Sequence, residues 1–193
     1  GRGGMAVVYR VRDSAREQEI ALKQLLPPSD ARHAREVTAL FEREFYTLAQ
    51  LSHPGVVEVY DFGSDEGRPY YTMQLVDGGD LGERAPWPYR QACELIVQVC
   101  SALSLLHSRR LVHRDISPRN IRCTQAGAAK LIDFGAMVPM GPNAQSVGTP
   151  AFIAPEVLHQ LSLDARTDLF SLGATLYYAL TGRPPFAARS FSD

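Results

Sequence analysis

Two adjacent glycines, Gly78-Gly79, divide the chain into halves whose apolar residues repeat with different periods. Before them, V-V-Y-R-V at 7–11 and I-A-L-K-Q-L at 20–25 read as short strands joined by the polar turn D-S-A-R-E-Q-E. Residues 56–62 and 69–76 read as two more, joined by G-S-D-E-G. From about residue 32 to 51, Val37, Leu40, Phe41, Phe45 and Leu48 recur at three- and four-residue spacing, the mark of a helix. The breaker His53-Pro54-Gly55 ends it. After the glycines, Ala92, Leu95, Ile96, Val99, Leu103 and Leu106 mark a longer helix, and 164–180 a further one, apolar in its second half. Residues 135–153 hold few periodic apolars and read as a long loop. A strand-rich lobe with one helix, a diglycine linker and a mainly helical lobe make an α+β architecture with two lobes.

Composition narrows the function classes. The 193 residues allow one domain or two small lobes, and 45% hydrophobic residues are too many for a disordered chain. Twenty Lys+Arg against 21 Asp+Glu, interspersed, argue against a nucleic-acid or anionic-membrane surface. No apolar run approaches the ~20 residues a bilayer requires, and no signal-peptide pattern opens the chain. Cys93, Cys100 and Cys123 are too few and too oddly spaced for a disulfide framework or a zinc site, so a reduced, cytoplasmic setting is the default. His33, His53, His107 and His159 have no clustered partners and read as ordinary packing or surface residues.

Four places carry chemistry. The glycines of Gly1-Arg2-Gly3-Gly4 precede a strand and would let backbone N–H groups approach a phosphate; alone they are equally a plain hairpin turn. Glu44 lies on the apolar stripe of its helix, where a carboxylate costs several kcal/mol unless a cation meets it. Lys23, between apolar residues on a strand, is the partner at hand. In L-V-H-R-D-I-S-P-R-N-I, residues 111–121, Asp115 would act as a base or orient a hydroxyl, and Asn120 offers an oxygen to a hard cation; a solvated turn explains the polarity but not the density of such groups. In L-I-D-F-G, residues 131–135, Asp133 ends a strand as a Mg²⁺ ligand would, though an Asp opening a turn is common.

In order and spacing these segments resemble the eukaryotic-type protein kinase catalytic domain. The match runs from G-R-G-G-M-A-V-V through I-A-L-K, H-R-D-I-S-P-R-N, D-F-G and A-P-E to D-L-F-S-L-G at 168–173. H-P-G-V-V-E-V-Y-D-F-G and T-G-R-P-P-F look most like bacterial serine/threonine kinases. The resemblance implies a bilobal fold, with residues 1–76 as N-lobe and 77–193 as C-lobe. It implies ATP with Mg²⁺ (or Mn²⁺) as cofactors and a protein substrate with a Ser/Thr acceptor. Gly1, Gly3 and Gly4 would cover the ATP phosphates. Lys23 would contact the α- and β-phosphates and pair with Glu44. Val8 and Ala21 would roof the adenine, with Met73 as gatekeeper, Gln74 and Val76 offering hinge backbone, and Asp80 meeting the ribose. Asp115 would accept or orient the substrate hydroxyl, and Asn120 and Asp133 would hold the metal. Leu48, Val59, His113 and Phe134 would form an apolar spine.

Departures from the pattern open a second reading. Ser117 stands where serine/threonine kinases carry a lysine for the γ-phosphate, an absence costing roughly 10²–10³ in rate by analogy with one lost transition-state donor. Arg119, placed as in many tyrosine kinases, would substitute for it. G-T-P-A-F-I-A-P-E at 148–156 still resembles the serine/threonine segment, with Thr149 bonding near Asp115. Arg122 takes the place of the apolar floor under adenine, with its stem below the base or a cost to ATP affinity. Arg114 would receive a phosphate on the activation loop, where Ser146 is the candidate. The leading expectation is transfer of the ATP γ-phosphoryl group to protein Ser/Thr; the alternative is a pseudokinase or nucleotide-binding scaffold. The chain also looks truncated at both ends. The family's first strand would precede Gly1, more C-lobe helices would follow Phe186, any membrane anchor would lie outside, and Glu156 would lack its arginine partner.

Overall fold

The computed structural model describes residues 6–26, 31–143 and 145–186. They form two compact units that interleave in sequence: one holds the described residues up to Ser52 and Val57–Leu75, the other His53–Val56 and the residues from Val76 onward. Among the described residues no helix is long and apolar enough to cross a membrane.

The first unit is a four-stranded antiparallel sheet and one helix. Strands β1 (Ala6–Asp13), β2 (Gln18–Leu25), β3 (Val59–Asp65) and β4 (Arg68–Gln74) order as β1-β2-β4-β3. The register pairs Val8 with Lys23, Lys23 with Tyr71 and Ala21 with Met73. Directly opposed residues share a face, so Val8, Ala21, Lys23, Tyr71 and Met73 line one side. Helix α1 (Ala31–Leu48) packs there, burying Val37, Phe41, Glu44, Phe45 and Leu48. Phe41, Phe45, Phe62 and Tyr71 meet with ring centroids 5.0–6.4 Å apart, forming an aromatic core with Ala6 and Leu25.

Two expectations shift. Leu40 is exposed, because the buried face advances to Glu44 instead. The strand expected over 56–62 begins at Val59: Val56 belongs to the second unit, where it bridges Leu131, and the β3–β4 register slips between Val59 and Phe62.

The second unit is built on helices α2 (Tyr89–Ser108) and α4 (Ala165–Thr181). Helix α2 buries Ala92, Leu95, Ile96, Val99, Ala102, Leu103 and Leu106 on one stripe. Short strands β5 (Leu111–Val112) and β8 (Val138–Pro139) pair, as do β6 (Ile121–Cys123) and β7 (Ala129–Leu131). A short helix α3 (Pro155–Leu158) precedes α4. Helix α4 starts at Asp164, whose side chain accepts from Arg166 N–H at 2.8 Å, and stops at Gly182 in the left-handed region. The long loop expected over 135–153 contains β8 and a 3-10 turn, Pro150–Phe152.

Gly78-Gly79 is not a loose linker. A side chain on Gly78, at φ +81°, would run into the Cys123 carbonyl, and Gly79 O accepts from Cys123 N–H at 2.9 Å. Gly78 needs to be glycine for this close approach to β6, inside the second unit.

Candidate active site

In the first unit the sheet and α1 bring Lys23 and Glu44 together. Lys23 Nζ donates to Glu44 Oε1 at 2.8 Å and Oε2 at 3.0 Å, and Tyr71 Oη donates to Oε1 at 3.1 Å. Both side chains are largely buried, so removing either would strand the other charge at a cost of about 3–5 kcal/mol. Val8, Ala21 and Met73 share the sheet face with Lys23. Gln74 N–H donates to Glu58 O at 2.8 Å, at the end of β4. Gly1, Gly3 and Gly4 lie outside the described residues.

In the second unit the segment 113–120 folds around Asp115. Asp115 Oδ1 accepts from Thr149 Oγ1 at 2.7 Å, and Oδ2 accepts from Asn120 Nδ2 at 2.8 Å. Two of the roughly four acceptor positions of the carboxylate are thereby used, which fixes its plane and leaves capacity for a substrate hydroxyl. Asn120 Nδ2 also donates to Asp115 O at 2.9 Å, so the amide oxygen is the atom turned to other partners. Ile132 N–H donates to Asn120 O at 3.0 Å, bringing the start of D-F-G beside Asn120. Asp133 itself is exposed at φ +61°, a backbone region rarely held without support from its surroundings, while Phe134 is buried with its ring centroid 4.8 Å from His113. An amide oxygen and one carboxylate, without a full cage of side chains, is a donor set that suits a hard divalent cation also bound by phosphates. Among the described residues no three His, Cys, Asp or Glu side chains converge on one metal position. By the chemistry of their donor atoms Asn120 and Asp133 fit such an ion.

Helix α4 holds this segment from below with polar groups that sequence reading left unassigned. Asp168, fully buried, accepts from His113 N–H and Arg114 N–H, each at 2.9 Å, and lies 2.9 Å from His107 Nε2. His107 thus has a carboxylate partner, which its isolation in sequence did not reveal. Thr175 Oγ1 reaches Ile116 O at 3.4 Å. The available signal was a carboxylate and two threonines on the inward face of an apolar helix.

Arg114 is buried, at φ +66°, and burial lowers its pKa. Its Nε donates to Ala136 O at 2.6 Å and its Nη1 to Asn143 Oδ1 at 3.1 Å. Ser146 is not brought to it; the Ser146 hydroxyl donates to Val157 O at 3.3 Å. Gly148, at φ +138°, lets the chain pass Arg114 O where a Cβ would sit 2.8 Å from that oxygen. Glu156 accepts from Thr167 Oγ1 at 2.8 Å.

The departures are placed as follows. Ser117 is buried, and its hydroxyl has no hydrogen-bond partner among the described residues. Arg119 is exposed beside it on the 3-10 turn Pro118–Asn120. Arg122 donates to Gly78 O, with Nη1 4.0 Å from Glu83 Oε1, so its charge is drawn to segment 78–83. Asp80 caps that segment, Oδ1 accepting from Gly82 and Glu83 N–H at 2.9 and 3.0 Å. Val76 is buried in the second unit.

The protein kinase domain family matches residues 1–193, and the chain belongs to that family. Members of the family use ATP and a divalent metal. The chain is 38% identical over 206 residues to the DNA damage-responsive serine/threonine-protein kinase RqkA of Deinococcus radiodurans, covering 98% of this chain and 30% of that one. It is 36% identical over 204 residues to the serine/threonine-protein kinase PknB of Mycobacterium leprae (98% and 32%), and 37% identical over 206 residues to the probable serine/threonine-protein kinase SCO3848 of Streptomyces coelicolor (98% and 30%). The chain therefore spans about a third of the length of the curated relatives it matches.

Proposed function

We propose that this chain is the catalytic domain of a serine/threonine protein kinase, transferring the γ-phosphoryl group of Mg·ATP to a protein hydroxyl. The observation that carries the reading is the Asp115 carboxylate, held on one oxygen by Asn120 and on the other by Thr149. Phosphoryl transfer asks a protein mainly for position and charge compensation. Asp115 would orient the acceptor hydroxyl and take its proton, and Lys23, fixed by Glu44, would hold the ATP phosphates. Bound at Asn120 and Asp133, Mg²⁺ supplies neutralisation of phosphate charge. Three free cysteines support a reducing, cytoplasmic setting.

The nucleotide-binding scaffold remains the second reading, favoured by one observation. Ser117 supplies no cation where the family carries a lysine, and its hydroxyl lacks a partner.

Radiolabel transfer to a protein acceptor, paired with thermal shift on Mg·ATP, separates the two. Transfer is expected, falling about 10²–10⁴-fold in Asp115→Asn with the fold intact by circular dichroism. A shift with Mg·ATP but no transfer would favour the scaffold. Full activity in Asp115→Asn would sink the kinase assignment.

A further inference from the structure

A cavity of about 510 Å³ in the second unit adjoins the acceptor-orienting aspartate. One wall contains Thr149, whose hydroxyl is bonded to Asp115, so the cavity opens beside the place where an acceptor hydroxyl would be oriented. Phe152 and Tyr178, edge-to-face with ring centroids 5.9 Å apart, line it as well.

Its charges are unequally satisfied. The two lining carboxylates are engaged: Asp80 accepts two backbone N–H groups, and Glu83 sits 4.0 Å from the Arg122 guanidinium. Arg119 is the reverse. It is exposed, lines the same cavity, and has no hydrogen bond or ion pair among the described residues. Of the three charged side chains that line the cavity, Arg119 is the one with no partner among the described residues, and it lies beside an apolar wall. A planar fork of donors matches a carboxylate in shape.

We propose that this cavity receives a side chain flanking the acceptor serine or threonine and selects an acidic one, with Arg119 as the specificity-determining cation. The inference rests on the kinase reading and names the substrate class of the same site. It assigns Arg119 to the peptide rather than to the γ-phosphate.

The test uses the whole chain with Mg·ATP and peptides carrying one serine in an alanine-glycine background. Aspartate, alanine or lysine is placed in turn at each of the three positions on either side. At one or more positions kcat/KM should favour aspartate over lysine by about tenfold, attraction and repulsion each being worth up to about a factor of five. The preference should lie in KM, and Arg119→Glu should reverse it. The readout is a ratio between peptides, so a change in overall rate does not enter. Should turnover be too slow in the variant, fluorescence anisotropy of the labelled aspartate and lysine peptides reads the same preference as affinity. Equal use of all peptides by the wild type would overturn the proposal, as would a preference that survives Arg119→Glu. A uniform drop in kcat with the ratio unchanged would overturn it too and return Arg119 to the γ-phosphate. Failure of the wild type to phosphorylate any peptide or casein would instead sink the kinase reading, with the anisotropy preference still deciding the role of Arg119.

Discussion

Asp168 shows how one side chain can set the position of Asp115 by holding the backbone beside it. Its two oxygens take the backbone N–H groups of His113 and Arg114 and the ring nitrogen of His107, all in a fully buried setting. Two backbone donors would be left bare on its removal, and bare buried donors are costly. Asp168→Ala should therefore lose at least about 3 kcal/mol in urea titration, and phosphotransfer should fall with it because Asp115 follows the same backbone. Cys123 makes the opposite case, a nucleophilic atom kept inert. Burial pushes its thiol up to about 11, whereas Cys93 and Cys100 are exposed. At pH 8 iodoacetamide should label two thiols in the native protein and the third only after unfolding.

At the scale of elements, α4 depends on its ends. The Asp164 carboxyl is held at about 2, below the ordinary 3.8, first by the Arg166 side chain and then by the Arg166 backbone N–H. A depressed carboxyl stabilises the fold above its ordinary value and loses that contribution as pH falls through the folded one. Asp164→Ala should cost about 1 kcal/mol at neutral pH, less whatever solvent screens at this half-exposed position. The gap in melting temperature between variant and wild type should close as pH falls from about 4 to about 2. Much of this element level was legible beforehand. The spacing of Val37, Phe41, Phe45 and Leu48 gives α1, and Glu44 within it demanded a cation that Lys23 supplies. Leu40 misled because four-residue spacing alone does not say on which side a stripe advances. The start of β3 was misplaced because Val56-Val57 look like strand, while what fixes Val56 is a bridge to Leu131, far away in sequence. In sequence Asp168 reads only as the first residue of D-L-F-S-L-G, without a role, since an acid in the first turn of a helix is ordinary, favoured there by the backbone dipole. Asn143 was silent too, because nothing local marks an amide that meets Arg114 across 29 residues.

For the whole molecule, the residues 53–56 matter more than their number suggests. Gly55 O accepts from Leu131 N–H at 2.8 Å, and Val56 O from Lys130 Nζ at 3.3 Å, so a four-residue excursion from the first unit completes the second. A Cβ on Gly55 would lie 3.2 Å from Ala102 Cβ and 3.3 Å from Gln98 O, tighter than ordinary contact. Gly55→Ala should therefore cost about 1–3 kcal/mol, the range of overpacking, and should speed hydrogen exchange at the Leu131 amide. Unchanged protection there would show that helix α2 yields without loosening the bridge.

The same excursion orders events on the ribosome. The last residue of the first unit, Leu75, is made 56 residues before Leu131 (131 − 75). At bacterial rates of synthesis that gap is about 3–11 s. Through that interval the carbonyls of Gly55 and Val56 have no strand to receive them, although the sheet that surrounds them in sequence is already complete. A nascent chain of this protein thus carries a short strip of backbone, bonded only to water, between two finished hairpins, and it stays open to a protease until β7 arrives.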